Sequence, residues 1–68
     1  MSGAYAREQL RELRVEHGFS QAELGGRVGV SRQAINLIEN GKHGPSLALA
    51  LAIARVFGLP VETVFAED

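Results

Sequence analysis

Sixty-eight residues leave room for one domain, and a domain of this size buries only about 60% of its unfolded surface. With no cysteine, disulfides and thiolate metal sites are excluded, and His17 and His43 are too few and too scattered to hold zinc, so no metal or cofactor is expected and aliphatic packing must make the core. The net charge of −1 argues against a nucleic-acid binder, yet three of the eight acids (Glu62, Glu67, Asp68) fall in the last seven residues, and residues 1–61 carry seven bases against five acids, or +2.

Residues 1–14 are charged and lack the apolar centre of a secretory signal, while the longest apolar run, 47–54, is too short to span a bilayer. The expectation is a single cytoplasmic domain over 1–68 with no membrane partner.

In the first segment Ala6, Leu10 and Leu13 have the spacing of one helical face, and Gly18 supplies a stop. Glu8, Glu12 and Glu16 form an acidic stripe beside a basic one of Arg7, Arg11 and Arg14, which suits a solvated helix surface. Ser20 with Glu23 three residues on is a capping box that opens a second helix at Ser20 or Gln21. That helix runs only to about Val28, because Gly29 offers a tight turn and Ser31 is a fresh N-cap.

The third helix ends at Asn40–Gly41. Ala34, Ile35 and Ile38 share its inner face, which leaves Arg32, Gln33, Asn36, Leu37 and Asn40 pointing elsewhere. After a loop over 42–45, Ser46 caps a fourth helix through Phe57, Gly58 stops it, and Pro60 begins a short last helix that ends near Phe65. The fold class is all-α, a bundle of about five short helices.

Two helices joined by so short a turn meet at a steep angle, which asks for a small residue at Gly25, an unhindered turn at Gly29, and inward Leu24, Val28, Val30, Ile35 and Ile38. The later helix then protrudes as a rod that fits the DNA major groove, with its capped N-terminus against base edges. The local field over 27–43 favours phosphate weakly, since Arg27, Arg32 and Lys42 face only Glu39.

At these residues the chain resembles the Xre family, the Cro and phage-repressor type of helix-turn-helix protein. The segments that carry the resemblance are LRELRVEHGFSQAELGGRVGVSRQAINLIENGK over 10–42 and PSLALALAIARVFGLPVETVF over 45–65. It implies a lambda-repressor-like DNA-binding domain with its helix-turn-helix unit at 21–40. Position by position it implies that Gln21 holds a phosphate together with its backbone N–H, and that Arg32, Gln33 and Asn36 read bases. Asn40 and Lys42 clamp the DNA backbone, and Arg14 and Glu39 form an ion pair tying the first helix to the third. The chemistry agrees: arginine pairs with guanine, glutamine and asparagine with adenine, and Leu37 suits a thymine methyl. Ser31, the N-cap, is counted with the DNA-binding set, and His17 and His43 are read as structural or solvent-facing.

The pattern departs from the family in two places. Gly25 stands where alanine is usual, and Gly26 where a polar helix former is usual; each glycine costs about 1 kcal/mol in a helix. The expectation is that the second helix is soft and that Gly25→Ala stabilises it. Ala48 and Ala52 replace charge in the fourth helix, which makes its stretch 47–54 apolar all round. Leu47, Leu51 and Ala54 are expected to close the core. Leu49, Ile53 and Val56 form a second stripe that, with Val61, Val64 and Phe65, either makes a homodimer surface or is covered by the last helix.

No cysteine nucleophile, carboxylate pair, serine–histidine pattern or phosphate loop supports catalysis, so the chain is read as no enzyme. The function expected is a sequence-specific regulator of transcription, a repressor that binds a palindromic operator in double-stranded DNA as a homodimer. The alternative is an antitoxin-like module whose main task is to cover a protein partner, with DNA binding secondary.

Overall fold

The computed structural model describes residues 8–65. The expected roles of Ala6 and Arg7 in the first helix and the acidic tail Glu67 and Asp68 lie outside those residues. Among them the chain is all-helical, with α1 (Glu8–Glu16), α2 (Gln21–Val28), α3 (Arg32–Glu39), α4 (Leu47–Phe57) and α5 (Val61–Val64).

Three helices begin on a serine whose extended backbone turns its oxygen onto the first turn. Ser20 Oγ accepts the N–H of Glu23 at 3.0 Å while Glu23 Oε1 accepts the N–H of Ser20 at 2.8 Å, closing the capping box of α2. Ser31 accepts from Ala34 and Ser46 from Leu49, each at 3.1 Å. Pro60 precedes α5 as its cap and does not open it, because its ψ of 147° is still extended.

The helix ends share one device. Gly18, Gly29, Gly41 and Gly58 have positive φ, and the N–H of the following residue reaches back to the carbonyl five residues before it, as in Phe19 to Arg14 and Val30 to Gly25. At Gly29, with φ 83°, the reversal leaves three residues between α2 and α3, and this shortness forces the two helices to cross closely.

All five helices contribute to one core of Leu10, Leu24, Ile35, Ile38, Ile53, Ala54, Phe57 and Val64. Phe19, Val30 and Leu59, which follow three of the four stop glycines, pack against it, so these three chain reversals also add apolar cover.

Two sequence expectations need correction. Gly25 is buried, and a Cβ there would lie 2.6 Å from the carbonyl oxygen of Val30 and 3.1 Å from that of Ser31, so alanine at this position forces backbone apart and does not stabilise α2. Gly26 is exposed with nothing within 4 Å of a Cβ, so the helix-propensity argument belongs to it alone.

The faces of α4 are also exchanged. Leu47 is 73% and Leu51 41% exposed, and of the three residues expected to close the core only Ala54 is buried. The face that closes it is Ala50, Ile53, Ala54 and Phe57, spaced i, i+3, i+4, i+7 and anchored by the large ring of Phe57. Two residues of the second stripe are covered within the chain: Ile53 and Val64 are enclosed, while Leu49, Val56, Val61 and Phe65 are half-buried against the core. Ile53 and Val64 therefore cannot be presented to a second copy.

Candidate nucleic-acid interface

The helix-turn-helix unit is held to α1 by a polar cluster. Arg14, in the last turn of α1, donates through Nε to Glu39 Oε2 at 2.6 Å and through Nη2 to Glu39 Oε1 at 3.1 Å. Its Nη1 donates to the carbonyl of Phe19 at 2.9 Å. Glu39, at the end of α3, is only 5% exposed, so this two-point fork is a nearly dry contact between charges and not a surface pair. The hydrogen bond to Glu39 raises the Arg14 pKa above its ordinary value despite the opposing effect of burial, with charge attraction adding to it. Arg14 is thereby committed to the fold.

The cluster continues toward solvent. Gln21, at the first position of α2, gives Nε2–H to Glu39 Oε1 at 3.0 Å, and its Oε1 accepts from Asn36 Nδ2 at 3.4 Å. Asn40 Nδ2 donates to the backbone oxygen of Asn36 at 2.9 Å and to its Oδ1 at 3.2 Å. Arg11, Arg14, Gln21, Asn36, Glu39 and Asn40 line, together with Glu8, a cleft of about 240 Å³ between the first three helices.

Arg32 and Gln33 stand exposed beside the exposed cap Ser31 at the start of α3, and Asn36, Asn40 and Lys42 are exposed further along; Leu37 is half-buried. The first N–H groups of a helix have no partner within it; Ser20 takes that of Glu23, and those of Gln21 and Ala22 suit an anion. Arg27, at the other end of α2, lies over the Phe19 ring at 4.3 Å from its centroid. His43 is exposed, and His17 packs edge-on to Phe57 at 4.8 Å with Nδ1 2.8 Å from the Leu13 carbonyl.

The structure thus brings Gln21, Asn36 and Asn40 together with the Arg14–Glu39 pair, and sets Arg32, Gln33 and Lys42 apart on open surface. Sequence reading did not foresee that Gln21 turns inward, nor that the Phe19 carbonyl serves Arg14. A signal was available: Asn36, Glu39 and Asn40 at i, i+3, i+4 make one polar face of α3 that points neither at the core nor wholly at water. Among the described residues no group of three or more His, Cys, Asp or Glu is placed to hold a metal, and no helix is long and apolar enough to cross a membrane.

Comparison with known proteins adds independent observations. The helix-turn-helix family model matches residues 10–64. An uncharacterized HTH-type transcriptional regulator of Archaeoglobus fulgidus is 47% identical over 62 residues, covering 91% of this chain and 89% of its own. The uncharacterized HTH-type transcriptional regulator YgzD of Bacillus subtilis is 46% identical over 59 residues, with 87% and 89% covered. Among solved structures, the restriction-modification controller protein C.AhdI from Aeromonas hydrophila superposes with a TM-score of 0.79 at 31% identity, over 85% of this chain and 88% of that one.

Proposed function

The chain belongs to the helix-turn-helix family of DNA-binding transcriptional regulators, of the Xre and Cro type, and on that premise we propose that it is a repressor that reads the major groove with α3. The observation that carries this reading is the exposed Arg32–Gln33 pair at the capped start of a helix whose far end is fixed by a buried ion pair. Long polar side chains on a rigidly held helix end are what base-edge recognition needs. Arg32 and Gln33 read bases, Asn36 and Leu37 extend the reading surface, Ser31 and the N–H groups opening α2 meet phosphate, and Lys42 sets register.

One eight-residue helix reaches few base pairs, which supports binding as a homodimer to a palindromic operator, with the two copies of α3 about 34–36 Å apart. Repression needs only occupation of the operator, and no catalytic step or cofactor enters this reading. The same reading puts its place of action in the cytoplasm.

The experiment is selection from a randomised duplex library with the full chain at two salt concentrations. The reading expects an inverted repeat whose half-sites lie about one helical turn apart, bound more weakly at the higher salt. A shapeless pool at low salt refutes it.

Leu47 and Leu51, exposed on one side of α4, favour a second reading as an antitoxin-like module that covers a protein partner. Co-purification of a stoichiometric small protein, lost with Leu47→Lys and Leu51→Lys, distinguishes the two.

A further inference from the structure

The polar cluster has a direction. An ionised carboxylate only accepts hydrogen bonds, so Gln21 must offer Glu39 its N–H, and its carbonyl oxygen then faces Asn36. Asn36 in turn must give its own N–H to Gln21, and its Oδ1 is left to accept from Asn40. A chain of amides with no fixed end runs equally well either way. Here the buried Glu39, itself pinned by Arg14, removes that degeneracy.

We propose that Gln21 and Glu39 are positioning residues for Asn36: they fix which edge of its amide donates and which accepts toward DNA. This rests on the reading that α3 enters the groove. An amide pairs with adenine by placing its donor on N7 and its acceptor toward N6, and the flipped amide offers the reverse pattern. Fixing the flip before binding turns Asn36 from an adaptable contact into a selective one. The side chain of Gln21 then acts on sequence preference through Asn36, while phosphate is left to its backbone N–H. Asn40, with Nδ2 given to Asn36, has Oδ1 as its remaining hydrogen-bonding atom, so it completes the chain and the phosphate clamp falls to Lys42.

The test measures base preference at every position of the selected site for the wild type, Gln21→Met, Asn36→Ala and the double variant. Gln21→Met keeps the side-chain length and leaves the Arg14–Glu39 fork in place, and thermal unfolding of each variant verifies that it is folded. The proposal expects Asn36→Ala to reduce discrimination at one base pair on the order of tenfold. Gln21→Met reduces it at that same pair, and the double variant loses no more than Asn36→Ala alone. A Gln21→Met protein that binds all sequences more weakly by one factor, with its preferences intact, overturns the proposal, as does an Asn36→Ala protein with unchanged preferences. Failure of the wild type to select any site instead overturns the DNA reading, and this proposal with it.

Discussion

The carbonyl oxygen of Val30 occupies the space that a side chain on Gly25 needs, 2.6 Å from where its Cβ would lie. That oxygen belongs to the turn between α2 and α3, so it cannot move without changing the crossing of the two helices. Gly25→Ala therefore destabilises the protein by about 1–3 kcal/mol, whereas Gly26→Ala stabilises it by up to about 1 kcal/mol. Thermal unfolding checks both, since about 1 kcal/mol moves the midpoint of so small a domain by roughly 4–8 °C. Equal upward shifts for the two variants contradict the crossing geometry.

This pair of glycines marks where the sequence was and was not legible. Ser20, Ser31 and Ser46 with Gly18, Gly29, Gly41 and Gly58 delimit four helices because caps and stops act locally, on the residues beside them. Gly25 was legible as a small residue at a close crossing, but propensity pointed the wrong way because the obstacle is backbone of the turn that follows α2. Over 47–54 of α4, apolar residues on every side gave little contrast, so the choice of Ala50, Ile53, Ala54 and Phe57 as the buried face came from packing that periodicity does not carry. The inward turn of Gln21 was hidden for a similar reason, since its partners lie 15 and 18 residues away.

Arg14→Met leaves the carboxylate of Glu39 buried without its charged partner and costs about 3–5 kcal/mol. Adding Glu39→Leu to it recovers much of that loss, because the penalty lies in the unpaired charge. Denaturant titration of the two variants checks this; a single-variant cost under about 1 kcal/mol means the pair behaves as a surface one.

On α4, Leu47→Lys and Leu51→Lys change the stability of the folded chain by no more than about 0.5 kcal/mol, and Ile53→Ala costs about 2–5 kcal/mol. Unfolding curves at several concentrations measure the same three variants. A large loss at Leu47 with little at Ile53 restores the face that periodicity first suggested.

Lys42→Ala weakens binding to every duplex by a similar factor and lowers the slope of affinity against salt by about one counterion. Filter binding or anisotropy at several salt concentrations reads the slope. A change of base preference with an unaltered slope assigns Lys42 to base reading instead.

The measurement closest to the central claim is a titration of the selected duplex, and of the same duplex with one half-site scrambled, by wild type and by Arg32→Ala with Gln33→Ala. The wild type is expected to prefer the intact site by orders of magnitude, and the double variant, folded as judged by its melting curve, to lose most of that preference and keep only the part that Asn36 and Leu37 contribute. A double variant that keeps the wild-type preference contradicts the claim, because sequence is then read by some surface other than the start of α3.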